Sequence, residues 1–551
     1  MLHACDQAPD ARQVTEAPNH FPDISEAVGL NFVHDAGIDG DFAMPESIGA
    51  GLALFDHDGD GDLDIYLVNG GSNDGTGTAM NRLLSQEADG RFVDRTLESG
   101  LGDTGYGMGT ALGDIDNDGD LDLFVSNHGP DILYRNDGGG RFTDITVPAG
   151  ISGQTWSTSS CFLDYDNDGW LDLYVAGYVH DTPARDCTDS AGRREYCGPN
   201  TYRGVADVLW RNSGDGNFSD VSEAAGISRA AGKGLGVVSA DFSADGRPDI
   251  YVANDGEKNN LWVNGGDSRF EDQALMMGAA YNSFGKPEAS MGIALGDVNG
   301  DLKLDLYVTH LVRETNTLYT GAEGGMQDAT GLTGSGAESM PYTGFGTAFL
   351  DVDQDGDLDL AVANGRVTRN ESELADRAGL VPAARFAAEY GEPNLLYLND
   401  GSGGLENACV TAGDFCLDTH VSRGLATGDI DGDGDLDMVV SNDNGPARLY
   451  RNDLPDKGNW LMVRAVDPAL QRDAIGAVVE VSAESRRMVR PVTHCYSYLS
   501  SSEAVTHFGL GAATRADAVR VTWPDGSNEM FPGVSANQSI TLRRGEGEPV
   551  R

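Results

Sequence analysis

Seven stretches of the chain alternate apolar with small or polar residues: "LDIYLVN", "LDLFVSN", "LDLYVAG", "PDIYVAN", "LDLYVTH", "LDLAVAN" and "LDMVVSN". Period two with Val, Ile, Leu and aromatic residues predicts β-strands. A run of small residues precedes each, as in "GMGTALGD" and "GFGTAFLD", and "LYRNDGGGRFTDIT" or a relative follows. The latter predicts a strand, a Gly-rich turn and another strand. One unit is therefore four short strands. The exception is "ESELADRAGLVPAARFAAEY" at 371–390, which reads as a helix.

Between the first two strands of every unit lies an acidic run, D-x-[DNS]-x-D-x-x-x-D, usually with Gly at its sixth position. The runs start at Asp56, Asp114, Asp164, Asp241, Asp297, Asp351 and Asp429, at intervals of 58, 50, 77, 56, 54 and 78 residues. Each long interval holds one close pair of cysteines, so units of ~55 residues carry insertions in two places, at about 180–205 and 365–392. Seven four-stranded units predict an all-β fold, a seven-bladed β-propeller, whose ring leaves no exposed sheet edge. The fourth-strand signature F-x-D occurs at Phe92, Phe142, Phe218 and Phe270, with weaker forms in "GMQDAT" and "GGLENA". It is missing after the last "LYRN" at 449–452, whereas "FPDIS" stands alone at 21–25 and is expected to supply that strand. The expected division is an unstructured segment 1–19, a propeller 20–454 and a tail domain 455–546. The tail's short alternating strands, with turns at "WPDGS" and "GLGAAT", predict a small β-sandwich docked on the propeller.

The acidic runs need a counter-charge. Two like charges 4 Å apart repel by ~4 kcal/mol at an effective dielectric of 20. Calcium takes six to eight oxygens, and side chains at positions 1, 3, 5 and 9 with a carbonyl from position 7 can wrap one ion. The candidate ligands in the complete runs are Asp56, Asp58, Asp60, Asp62 and Asp64; Asp114, Asp116, Asp118, Asp120 and Asp122; Asp164, Asp166, Asp168, Trp170 and Asp172; Asp351, Asp353, Asp355, Asp357 and Asp359; and Asp429, Asp431, Asp433, Asp435 and Asp437. Two runs are weaker: Asp241, Ser243, Asp245, Arg247 and Asp249 have Ser at position 3, and Asp297, Asn299, Asp301 and Asp305 have Leu302 in place of the Gly. Five Ca²⁺ sites are expected, and up to seven.

Composition changes the picture in two ways. With 37 Lys plus Arg against 88 Asp plus Glu, the net charge of −51 argues against nucleic acid or anionic membrane as a partner. The runs hold 30 of those 88 acidic residues, about a third, and the hydrophobic content of 40 % is enough for a core, so the acidity is not that of a disordered tail. No stretch approaches the ~18 apolar residues of a membrane span. "MLHACD" resembles the end of a bacterial lipoprotein signal, which makes Cys5 a candidate lipid anchor against the plainer reading of a frayed terminus. Cys187/Cys197 and Cys409/Cys416 lie in polar loops without zinc spacing, so two local disulfides and an oxidising compartment are expected. Cysteines 161 and 495 are left without an expected partner.

The D-x-D-x-D-G-D-x-D hairpins within G-x-G-x-A…L-Y-R-N…F-x-D-[IV]-[ST] units resemble FG-GAP (VCBS) repeats, as in the integrin α-subunit propeller. "NWLMVRAVD", "RDAIGAVVEV", "SYLSSSEAVTHFGLG" and "VRVTWPDG" resemble the ASPIC/UnbV domain. That order looks like the cartilage acidic protein family and its bacterial relatives, over roughly residues 20–545. The resemblance implies a calcium-binding protein that is secreted, periplasmic or on the cell surface, and implies little about chemistry. Cys495 stands where the tail motif suggests Gly.

No His-Glu-x-x-His, Gly-x-Ser-x-Gly or P-loop is present. One column of residues ends the second strands: Asn69, Asn127, Gly177, Asn254, His310, Asn364 and Asn442. These points should converge opposite the hairpins, near the axis, where Trp156, Lys233 and Arg423 also reach. The column is read first as strand-end capping by Asn. A funnel lined by His128, His180, His310, Tyr178, Asp255 and Arg366 would alternatively bind a ligand or hold acid/base groups. The leading reading is a non-enzymatic calcium-stiffened binding or adhesion module for a glycan, protein or small molecule. The alternative is a lyase, isomerase or hydrolase in the axial funnel. A plugged funnel favours the former.

Overall fold

A computed structural model describes residues 18–550 except 72–78, 154–155, 182–184, 230 and 371–381. The candidate anchor Cys5 and most of the helix expected at 371–390 lie outside the described residues; the helix is present from Pro382 to Tyr390. Seven antiparallel sheets follow one another along the chain. Their first strands are Leu52–Phe55, Tyr106–Gly113, Ser157–Leu163, Gly234–Ala240, Ile293–Gly296, Gly344–Leu350 and Ser422–Gly428. Each first strand lies against the next, and Ser422–Gly428 lies against Leu52–Phe55. The arrangement is propeller-like, and the first strands line its axis. The last sheet has three strands of its own, and the N-terminal segment bridges its outer edge through Asp23 and Tyr450. Phe21 is buried there against Phe415.

The small residues before each acidic run are explained by this packing. A Cβ on Gly51 would meet the Leu499 carbonyl oxygen at 2.0 Å and Met108 O at 2.8 Å, and one on Gly424 would meet Ser500 Oγ at 2.4 Å. Only glycine lets neighbouring backbones approach so closely. The helical content that the pattern missed is a single turn after several fourth strands, such as Thr96–Ser99 and Ser222–Ala225. Asp94 and Asp220, the aspartates of F-x-D, start these turns by accepting the backbone N–H two residues on.

The tail from Asn459 forms two sheets, one built on Asn459–Asp467 with Thr506–Gly511, the other on Val478–Ala483 with Arg486–Pro491 and Ala518–Thr522. It sits on the hairpin face. Between the sheets' strands the chain leaves the tail and descends along the axis as residues 493–503, where Ser501–Ser502 adds in parallel to Leu52–Phe55.

Candidate metal hairpins and the closed axis

The seven hairpins share one hydrogen-bond scheme. The position-1 carboxylate accepts the N–H of position 6, as in Gly61 to Asp56 (3.0 Å), Gly119 to Asp114 (2.9 Å) and Gly356 to Asp351 (3.0 Å). The position-5 carboxylate accepts the N–H of position 7, as in Asp62 to Asp60 and Trp170 to Asp168. The position-9 carboxylate clasps two elements. Asp122 accepts from Ile115 N at 2.8 Å and from Asn136 N, on the third strand, at 2.7 Å; Asp359 does the same with Val352 and Asn399. Position 9 thus has a structural duty besides any ligand role. Position 4 is left-handed as well as position 6: Asn117 has φ 58° and Gln354 φ 58°. Leu302, at a position-6 site lacking Gly, is held at φ 69°, a conformation L-residues reach at a cost. The turn therefore survives the departure noted in the sequence.

The geometry fits a cation. Carboxylate oxygens of Asp56, Asp58 and Asp60 lie within 4.8 Å of one another, as do those of Asp114, Asp116 and Asp122, of Asp164, Asp166 and Asp172, and of Asp351, Asp353 and Asp355. Asp58 Oδ1, Asp116 Oδ1, Asp166 Oδ1 and Asp351 Oδ1 are buried with no hydrogen-bond partner. Burial, with the neighbouring carboxylates, pushes Asp114 up to about 7, Asp164 to about 6 and Asp351 to about 7. Hard oxygen donors grouped so closely, some buried and unpaired, suit a hard divalent ion. The set differs among hairpins. At 241–249 Asp241 is exposed and Arg247 pairs with Asp245; at 297–305 Asp297 is 5 % exposed and Asn299 accepts the Asp301 N–H. At 429–437 Lys457 contacts Asp435 and lies 3.6 Å from Asp433.

Sequence reasoning missed the tail's part in this face. Arg472 reaches Asn117 Oδ1 at 2.9 Å and Gly169 O at 3.3 Å, between the second and third hairpins. Arg490 is buried beside Asp351, Asp297 and Asp357, between the fifth and sixth. Arg486 bonds Asp357 and Asp355 O. "RRMVR" at 486–490 was the available signal: a basic cluster in a strongly acidic chain.

The axis is filled. Ser497 exchanges backbone hydrogen bonds with Ile293, Leu499 O accepts from Thr110 N at 3.1 Å, and Leu499 N donates to Ser159 Oγ at 3.0 Å. Thr347 N donates to Ser497 Oγ and Thr427 N to Ser502 Oγ. Leu235, on the fourth first strand, packs in one cluster with Tyr498 and Leu499. Residues 493–503 therefore bond the first strands of six sheets and share an apolar cluster with that of the fourth. A disulfide between Cys161 and Cys495 ties this plug to the third sheet, pairing the two cysteines that the sequence left unassigned. The two local pairs also form disulfides.

At the far end the proposed funnel residues do not form an open pocket. Tyr178 and His310 are fully buried, and Asp255 is 8 % exposed. His128, Trp156 and Tyr178 stack edge to face, at 4.7 and 5.1 Å, and Tyr178 donates to Asp255 Oδ2 at 2.7 Å. His310 bonds Ser290 Oγ and Thr315 O instead, and burial lowers its pKa to about 4. His128 pairs with Asp181, Arg366 with Glu392, and His180 is exposed. The three histidines are not brought within hydrogen-bonding reach of one another. The Asn column caps strand ends: Asn127, Asn254, Asn364 and Asn442 donate to the carbonyls of Pro130, Lys258, Pro393 and Pro446. Trp156, Lys233 and Arg423 are buried rather than surface groups.

Over this end the two insertions meet the segment before the first sheet. The Tyr196 ring lies edge-on to Phe42 (5.2 Å) and Tyr390 (5.7 Å). Arg369 holds Glu389 at 3.0 Å and Glu195 at 3.7 Å, and Tyr390 donates to Glu195. The Cys409–Cys416 pair is not part of this cap; it lies at the rim, beside Phe21.

Residues 56–125, 114–175, 196–252 and 241–308 match the FG-GAP-like repeat, and residues 467–549 match ASPIC and UnbV. The chain is 29 % identical over 316 residues to cartilage acidic protein 1 of Homo sapiens, covering 56 % of this chain and 43 % of that protein. The Xenopus tropicalis protein is 25 % identical over 328 residues, covering 58 % and 38 %. The chain thus matches less than half the length of these relatives. Solved structures with a similar course include an Agrocybe aegerita lectin that recognises non-reducing terminal N-acetylglucosamine (TM-score 0.38, 16 % identity, 68 % of this chain and 82 % of that one). Another is YCF48 bound to D1 peptide (TM-score 0.40, 11 % identity, 76 % and 97 %). Likenesses this distant carry no argument about function. The repeats, the tail that follows them and the homologous stretch together make the chain an FG-GAP-repeat protein with a C-terminal ASPIC and UnbV domain.

Proposed function

We propose that the protein is a calcium-stiffened binding module working outside the cytoplasm, its seven sheets the blades of one closed wheel. The observation that carries this is the grouping of carboxylate oxygens at the hairpin tips, with a buried unpaired oxygen on each of Asp58, Asp116, Asp166 and Asp351. Calcium would be held there by Asp56, Asp114, Asp164, Asp351 and Asp429 and their neighbours, and supplies charge neutralisation and rigidity. Three disulfides support an oxidising compartment. The ligand, a glycan, protein or small molecule, docks on an outer surface, and the cap built by the insertions is the favoured place. The packing of both ends of the axis speaks against an enzyme working in a funnel there.

Calcium bound only to the folded state adds ~2.7 kcal/mol per site at a hundredfold excess over Kd. Elemental analysis after dialysis is expected to find at least five Ca²⁺ per chain, and EDTA to lower the melting temperature by about 10 °C or more. Fewer than one bound ion, with melting indifferent to EDTA, would sink the reading.

A further inference from the structure

The tail bonds the second, third and seventh hairpins through the side chains of Arg472 and His507, but among the described residues its backbone N–H groups bond only the sixth. Asp351, its position-1 residue, is fully buried, and the tail supplies the burial. Gly509 N–H donates to Asp351 Oδ2 at 2.9 Å, the oxygen that also accepts Gly356 N–H. Gly458 N–H donates to Asp353 O at 2.9 Å and Gly511 N–H to Gln354 O at 2.8 Å. Arg486 takes Asp355 O and the Asp357 carboxylate. A Cβ on Gly509 would lie 2.3 Å from Asp351 Oδ2, so the tail backbone is pressed against the carboxylate. Asp351 Oδ1 remains buried and without a partner. Among the described residues, the first hairpin makes no hydrogen bond to residues 459–550, and Gly59 and Gly61 have open space around them.

From this we infer that the hairpin 351–359 is the metal site that docks the C-terminal domain: ion binding there and seating of the tail are one coupled event. The inference rests on the calcium reading and goes beyond it by separating this hairpin from the others. The reason is geometric. The tail reads the hairpin through three backbone carbonyls and two carboxylates, and these groups hold fixed places only when the turn is wound. The ion winds the turn by drawing Asp351, Asp353 and Asp355 together. Without it, their mutual repulsion opens the loop and withdraws the acceptors of Gly458, Gly509 and Gly511. Coupling of this kind is reciprocal, so a seated tail also tightens the ion. The disulfide at Cys495 keeps the plug near when the tail lifts, so the event is local and reversible.

The test uses the full chain in calcium and reads amide hydrogen exchange by mass spectrometry. Asp353→Asn with Asp355→Asn weakens the sixth hairpin's ion while keeping every backbone group the tail uses. Asp58→Asn with Asp60→Asn does the same to the first hairpin. The sixth-hairpin variant is expected to exchange at least tenfold faster in segments 456–463 and 505–512, and the first-hairpin variant to match the parent there. Equal exchange in both variants, with one ion lost from each, overturns the coupling and leaves the calcium reading standing. A parent chain that holds no calcium overturns both. A variant too unstable to purify is replaced by the parent titrated with calcium from EDTA. Protection of 505–512 must then rise together with that of 351–359, and protection that is already complete before calcium overturns the proposal.

Discussion

The two ends of the axis are both shut, by opposite means. At the hairpin end the closing element comes from the far end of the chain and is seated by backbone hydrogen bonds and by cations: Arg472 near Asp164, Arg486 on Asp357, Arg490 beside Asp351 and Lys457 on Asp435. At the other end the closure is made by insertions within the sheets, from aromatic edges and from ion pairs such as Arg369 with Glu389 and Arg366 with Glu392. Glu46 and Glu392 are each pushed up to about 7 by burial. The contrast teaches that burial raises carboxyl pKa values at both ends, but the hairpin end draws its cations from the tail, whereas the far end pairs acids and arginines from its own insertions and buries Glu46 with hydrogen bonds alone. It also predicts that the ends fail under different insults.

The largest effect is expected at the plug. Leu499 is fully buried, with its N–H and C=O both bonded to first strands. Leu499→Asp places an unpaired charge on the axis and is expected to cost about 4 kcal/mol or more, read as a melting temperature well below the parent's in calcium. Unchanged melting would mean that the plug is dispensable and that the hairpin end is not closed by it. Next comes the covalent tie. Cys161→Ser with Cys495→Ser frees a 334-residue separation and is expected to cost about 4 kcal/mol, whereas Cys187→Ser with Cys197→Ser, ten residues apart within the cap, costs about 2. Denaturant unfolding of both pairs ranks the two ends directly, and the reverse order would break the comparison.

Much of the first end was written in the chain, and the rest was not, for a physical reason. The seven acidic runs, the strand alternation and the partnership of "FPDIS" with the last sheet depend on local pattern, and local pattern is what a sequence displays. The position-9 clasp was hidden because its partners, such as Asn136 and Asn399, lie on a third strand whose register is a tertiary matter. Cys161 and Cys495 find each other only because seven distant strands leave a gap that residues 493–503 fit. "SYLSSSEAV" was visible as a tail motif, yet nothing in its spacing says that it runs along the axis between the first strands. The funnel reading failed for the same reason: the positions of His128, Tyr178 and His310 near the axis do not reveal what packs over them.

The smallest effect sharpens the second end. Glu46 is fully buried, accepts from Ala43 N–H and from the Tyr196 hydroxyl at 3.2 Å, and has its pKa raised from 4.5 to about 7 chiefly by desolvation. A carboxyl whose folded pKa exceeds its unfolded value favours folding fully below about 4.5, and that contribution is lost as the pH climbs through 7. Glu46→Gln keeps the size and one acceptor and removes the titration. At pH 5 the variant and the parent are expected to unfold alike. At pH 8 the variant is expected to be more stable by on the order of 2 kcal/mol, since it no longer has to bury a charge. Unfolding curves at the two pH values, in calcium so that the hairpins stay loaded, decide it. A variant that is less stable than the parent at pH 8 would show Glu46 to be ionised and paired in the cap.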